Sequence, residues 1–364
     1  MQIILGIFYH FIGGAASGSF YVPYKKVKGW HWENFWIVGG LFSWLIIPPI
    51  AAWLTIPHFA MIISNTPAST FGWTFFWGVL WGIGGLMYGL GMRYLGMSLG
   101  NSVLLGFTAA FGALAPAIYY NFHPTEGKIT FTDLLSNHWG QIVLVGVLLC
   151  LLGIFICGRA GVLKERELSE EKKKESVKEF NLMKGLIVCI VAGILSACFN
   201  YGIEAGSKMA DAASKMWIAD NPTATGNFLY RNNVIYIVLL WGGLTTNFIW
   251  CLFLNIRNKT FGDYTDKKTP LLRNYLFCAL AGTLWFLQFF FYGMGESKLG
   301  NGASSWILHM ATIILTANFW GFYLKEWTGV SKKTFNTFLW GIGLILASIV
   351  LVDSTSPRNV LLAA

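Results

Sequence analysis

The stretch GVLWGIGGLMYGLGMRYLG, residues 78–96, returns as GTLWFLQFFFYGMGESKLG at residues 282–300. Gly78, Leu80, Trp81, Tyr88, Gly89, Gly91, Leu95 and Gly96 recur as Gly282, Leu284, Trp285, Tyr292, Gly293, Gly295, Leu299 and Gly300. Chance similarity between apolar helices seldom keeps a Trp, a Tyr and four glycines in register. A second alignment equates Gly6, Gly14, Ser17 and Phe20 with Gly185, Gly193, Ser196 and Phe199. The chain therefore reads as two related halves.

Both copies lie inside apolar runs. Crossing about 30 Å of hydrocarbon takes about 20 apolar residues. Ten stretches of that kind are predicted, over 3–22, 34–56, 70–92, 97–121, 139–158, 182–203, 228–254, 272–295, 302–323 and 335–352. None alternates with the period of a membrane barrel, so helices are expected. The segment 3–22 lacks a basic leader and an A-x-A site, so it reads as a retained span. With five spans per half, the second copy enters the membrane from the opposite side. The fold class is an all-α membrane protein, with ten transmembrane helices as two inverted five-helix repeats. The expected boundaries are 1–160 for the first repeat, 161–181 for a charged linker and 182–364 for the second repeat. Inverted repeats are the architecture of many secondary transporters.

Composition agrees. The 364 residues are 55% hydrophobic and only 12% charged, against about a quarter charged in soluble domains. That excludes a disordered chain, a nucleic-acid-binding domain and an ordinary cytosolic enzyme. The net charge of +9 is uneven. Loops joining spans 1–2, 3–4, 5–6, 7–8 and 9–10, with their flanks, hold 20 of the 26 Lys and Arg. The opposite loops hold Lys128, Lys208, Lys215, Arg231 and Lys298, and the tail adds Arg358. The positive-inside rule puts the basic loops in the cytoplasm and both termini outside. No H-E-x-x-H, G-x-S-x-G or phosphate loop is present, so no enzyme and no cofactor are expected. The six cysteines form no CxxC pair, so no metal site is expected.

Several blocks carry a family resemblance: GIFYHFIGGAAS at 6–17, FYVPYKKVK at 20–28 with W-x-W-E at 30–33, MRYLGMS at 92–98, LQFFFY at 287–292 and SWILHM at 305–310. Together they resemble the bacterial L-rhamnose–proton symporter family, a branch of the drug/metabolite transporter superfamily. The resemblance implies a multi-pass protein of the bacterial inner membrane that takes up L-rhamnose with a cation, a proton before sodium. The alternative is a transporter of another small sugar or metabolite on the same fold, with sodium as the other candidate coupling ion. The partners expected are the sugar, the coupling ion and the lipid bilayer, with no nucleic acid.

Imidazoles and carboxylates inside hydrocarbon are costly, and by default they are functional candidates. His10, His309 and Gln288 fall at a common predicted depth. They also break the repeat, matching Cys189, Leu105 and Gly84. Gln288 suits sugar hydroxyls, because an amide both donates and accepts. Trp285, Gln288 and Tyr292 share one helix face, as do Trp306 and His309 on another span and His10 and Ser17 on the first. Trp81 and Tyr88 are the repeat mates of Trp285 and Tyr292. These nine residues form the predicted substrate site. His10 and His309 are the first candidates for the coupling proton, since imidazole titrates near physiological pH. Glu33 is the third. Glu204 and Glu296 read as solvated helix ends beside Lys208 and Lys298.

Overall fold

Inside a bilayer, backbone amides find no water, so apolar runs close their hydrogen bonds within a helix. The computed structural model describes residues 2–124, 129–169, 171, 179–223, 228–299 and 302–354, and among them there is no strand. Its helices are α1 (Gln2–Ser19), α2 (Tyr21–Tyr24), α3 (Trp32–Gly40), α4 (Ile47–Thr55), α5 (Phe59–Ser64), α6 (Ala68–Phe122), α7 (Phe131–Ser136) and α8 (His138–Glu167). There follow α9 (Leu182–Ser196), α10 (Cys198–Ala205), α11 (Ser207–Asp220), α12 (Asn233–Asn258), α13 (Leu271–Leu299), α14 (Gly302–Tyr323) and α15 (Lys332–Ser354).

Among the described residues six helical segments are long and apolar enough to cross a membrane: Trp32–Thr55, Ala68–Phe122, His138–Lys164, Leu182–Ala205, Asn233–Asn258 and Leu271–Leu299. Large apolar side chains point outward, among them Trp53, Phe155, Ile256 and Leu272 on these segments and Phe319 and Trp340 on α14 and α15. Apolar surface on that scale suits lipid rather than water. The chain is a multi-pass membrane protein.

Two irregularities have local causes. Helix α6 breaks at Gly96, whose backbone adopts φ 83° and ψ 174°. Only glycine takes that conformation cheaply, and the break divides the helix where the sequence separated spans 70–92 and 97–121. Between α3 and α4 the chain widens into a π-helical segment, Leu41–Ile46. Pro48 and Pro49 follow at once. They cannot donate to the preceding turn, and the wider turn makes room for their rings.

Packing divides the chain into two compact units, Met1–Leu86 with Cys198–Gly300, and Met87–Ala197 with Asn301–Ala364. Each draws helices from both halves of the sequence. Residues equated by the two alignments make equivalent contacts. In the first unit a methyl group on Gly6 would lie 2.7 Å from Leu299, and in the second a methyl on the equivalent Gly185 would lie 2.5 Å from the equivalent Leu95. Gly295 faces His10 in the first unit, and its mate Gly91 faces Cys189, the mate of His10, in the second. Small residues let helices approach closely where lipid gives no hydrophobic drive between them. Gly78 and Gly282 apply this most tightly: a methyl there would stand 2.0 Å from the carbonyl oxygens of Leu239 and Gly39 respectively.

Candidate functional site

In the first unit α1 and α13 pack along one seam, and polar groups recur down it. Gly6 meets Leu299, His10 meets Gly295, and Ser17 meets Gln288. His10 is fully buried, and its ring lies 5.5 Å from that of Tyr292. Farther along, the buried Ser17 hydroxyl donates to Gln288 Oε1 at 2.8 Å. That bond uses one lone pair of the amide oxygen. The Nε2 group then has its N–H donors for other acceptors.

One turn beyond this pair, Phe20 meets Trp285 edge-on at 3.9 Å. Around Trp285 stand Trp36 at 6.1 Å and Trp81 at 6.4 Å. Trp81 in turn meets Phe199 at 5.2 Å, Phe289 at 5.7 Å and Trp44 at 6.3 Å. Trp36 is held by a hydrogen bond from its Nε1 to Asn247 Oδ1 at 2.8 Å. Asn247 is itself fixed by donating to the carbonyls of Gly82 and Gly243 at 3.0 and 2.8 Å. The tryptophans thus stand in a packed aromatic group beside a buried amide–hydroxyl pair. Such a place offers apolar ring faces and a few convergent hydrogen-bonding groups, which is the chemistry of a small-ligand site.

Of the residues singled out from the sequence, this unit brings together His10, Ser17, Trp81, Trp285, Gln288 and Tyr292. It also contains Glu33, elsewhere. Glu33 is buried at the start of α3 and accepts from Asn258 Nδ2 and Thr260 Oγ1, both at 3.0 Å. Beside it, Asp263 accepts from the His31 backbone N–H (2.7 Å) and from Asn34 Nδ2 (2.7 Å), and lies 2.9 Å from His31 Nδ1. Partial burial pushes the Asp263 carboxyl up, but these hydrogen bonds outweigh it and hold the group below the usual carboxylate range.

Tyr88, Trp306 and His309 belong to the second unit. Tyr88 donates from its hydroxyl to Asn101 Oδ1 at 2.7 Å. Trp306 packs its indole against Gly112, and His309 is buried on α14.

Sequence reading missed the buried charges of this second unit. Glu326 falls between the predicted spans 302–323 and 335–352, and it is buried. Its carboxylate accepts from the backbone N–H groups of Met97 and Ser98, both at 3.0 Å. Those are the first amides after the break at Gly96, so the carboxylate caps the helix over 97–122 and complements its dipole. Lys164, also buried, donates to the Glu326 carbonyl at 2.5 Å and lies over the Trp327 ring at 4.9 Å. Ser98 links this group to Asn318 at 2.6 Å, and Trp327 Nε1 donates to Ser98 at 3.1 Å. No local pattern marks Glu326, because its partners are more than 150 positions away. Among the described residues no cluster of side chains suits a metal ion.

Comparison with known proteins places these features in a family. Residues 1–355 match the model of the L-rhamnose-proton symport protein family. An L-rhamnose-proton symporter of Yersinia pestis (strain Pestoides F) is 37% identical over 336 residues, 91% of this chain and 92% of that protein. The same figures hold for one from Yersinia pseudotuberculosis serotype O:1b. One from Pectobacterium atrosepticum is 36% identical over 355 residues, 96% of this chain and 97% of its own length.

Proposed function

We propose, on the premise that this chain belongs to the L-rhamnose-proton symport protein family, that it imports L-rhamnose together with protons. The location we infer is the bacterial cytoplasmic membrane, with both termini on the periplasmic side. The charge asymmetry of the loops supports that orientation. The ten-span reading as two inverted repeats, 1–160 and 182–364 about the linker 161–181, is supported by the equivalent glycine contacts of the two units. Placement in the drug/metabolite transporter superfamily is what the family resemblance of the sequence blocks implies. Alternating access then follows from rocking of repeat elements about a fixed site.

The observation that carries the sugar site is the Ser17–Gln288 hydrogen bond beside Trp285. A pyranose presents hydroxyls that both donate and accept, and Gln288 answers them with an amide that Ser17 orients. Its C–H faces need apolar platforms, and Trp285 and Trp81 supply aromatic ones. The methyl group of a 6-deoxy sugar adds apolar surface that favours such surroundings. Tyr292 and His10 lie on the same seam. Tyr88, Trp306 and His309 are candidates within the second unit. His10, His309 and Glu33 are the sequence's candidates for the coupling proton, and of these Glu33 has its carboxylate already held by Asn258 and Thr260.

The test is uptake of labelled L-rhamnose into proteoliposomes holding the purified protein, with proton and sodium gradients imposed separately. Accumulation driven by an inward proton gradient is expected. Accumulation with sodium alone, or none with either ion, overturns the reading.

A further inference from the structure

At the C-terminal end of α13, Glu296 stands eight residues beyond Gln288 and four beyond Tyr292. Steps of four keep the three side chains on one face, and eight residues span about 12 Å. Glu296 is half-buried, and its Oε2 accepts from Asn232 Nδ2 at 2.6 Å. Asn232 is buried just before α12, and the neighbouring Arg231 is close enough for its charge to act on Glu296. The groups facing this carboxylate can be named element by element. The segment before α12 contributes Arg231 and Asn232, and α12 itself contributes the phenol of Tyr236. Helix α13 contributes the phenol of Tyr292. Helix α1 contributes His10, packed against Gly295, one position away. Lys298 follows two positions along α13, off this face.

We propose that Glu296 is the coupling residue at the outer end of the sugar seam, a role that rests on the symport reading above. Three features combine here and at no other carboxylate described. Glu33, Asp263 and Glu326 are each held at helix ends by two or more donors. Glu296 has one amide donor and one cation, and it shares a rigid helix face with Gln288. It is also specific to one repeat, since its mate is Met92.

In the outward-facing state the Glu296 carboxylate takes a proton from the periplasmic water and becomes a neutral acid. It releases that proton to water on the cytoplasmic side after the protein has reoriented. Protonation removes the attraction to Arg231 and turns an acceptor into a donor beside Asn232, Tyr236 and Tyr292. Helix α13 also carries the amide that binds sugar, so the charge state at its end biases the state that binds. Such coupling requires only that one state of the helix binds both proton and sugar better.

The test compares the parent with Glu296→Gln and Glu296→Asp in proteoliposomes. The Gln variant is expected to exchange L-rhamnose by counterflow, yet to lose concentrative uptake under a proton gradient. The Asp variant is expected to keep concentrative uptake with a displaced pH profile. Arg231→Gln should displace the profile as well, and Arg231→Lys should not. A Gln variant that concentrates sugar as well as the parent overturns the proposal. A second readout needs no sugar. pH-difference infrared spectra of the parent should contain a carboxylic-acid carbonyl band that Glu296→Gln lacks. A band unchanged in that variant overturns the role of Glu296. A parent that transports no L-rhamnose overturns the substrate instead.

Discussion

Replacing Gln288 by Ala removes the one amide of the seam and leaves Ser17 without the acceptor that stands 2.8 Å away. The loss has two parts. A buried hydroxyl deprived of its partner costs about 1–3 kcal/mol. Part of that loss is present with and without sugar, so it lowers stability more than affinity. The bonds from the amide to sugar hydroxyls exist only in the complex, and a similar sum lost there weakens binding by about 5- to 150-fold. Ser17→Ala should cost less, because Ser17 orients Gln288 and the amide can still reach the ligand. The two sites share one hydrogen bond, so the double variant Ser17→Ala/Gln288→Ala should bind about as weakly as Gln288→Ala alone. Titration calorimetry with L-rhamnose on detergent-purified protein measures each Kd. Thermal unfolding of the same samples checks that the variants are folded. A Kd for Gln288→Ala equal to that of the parent would refute the placement of the sugar at this pair, and strictly additive losses would refute the role given to Ser17.

Other outcomes follow from the same structure. With Glu296 as the coupling residue, His309→Gln should keep both proton-driven accumulation and pH-dependent binding, measured between about pH 5 and 8, and loss of both would move the coupling role to that imidazole. If Glu296 is the coupling residue, His10→Gln weakens accumulation without abolishing it. Asp263 is held below its unfolded value of about 3.9. Its stabilising effect is therefore complete above that pH and disappears as pH falls through the lower folded value. Asp263→Asn should remove this acid-sensitive part of the Tm-versus-pH curve, and an unchanged curve would show that the His31 and Asn34 contacts are not formed in solution. Gly78→Leu should lower Tm sharply, since its first carbon would stand 2.0 Å from the Leu239 carbonyl and overpacking costs about 1–3 kcal/mol or more. Gly72, with nothing within 4 Å of that position, is the control, and equal Tm losses at the two sites would count against this packing.

Much of this protein was legible in the residues. Apolar length set where helices run, because a bilayer leaves the backbone no other way to satisfy itself. The repeat set which positions correspond, and Gly6 with Gly185 and Gly295 with Gly91 make matching contacts. Gln288 stands out because it breaks the repeat, Ser17 and Trp285 because they share helix faces with His10 and Gln288, and Trp81 because it is the repeat mate of Trp285. What each face meets is not local. Ser17 finds Gln288 across 271 positions and Trp36 finds Asn247 across 211, so the ring of supporting aromatics from Phe20 to Phe289 emerged only when the helices were packed. The same limit hid Glu326, whose acceptor atoms are bonded by amides 228 and 229 positions earlier, and it made Glu296 look like a solvated helix end. The sequence alone determined the helices, their likeness in pairs and the side chains facing along each of them. Tertiary structure decided which carboxylates are held by donors and which amide stands beside the tryptophans, because burial and hydrogen-bond partnership are properties of two helices together and are written in neither one.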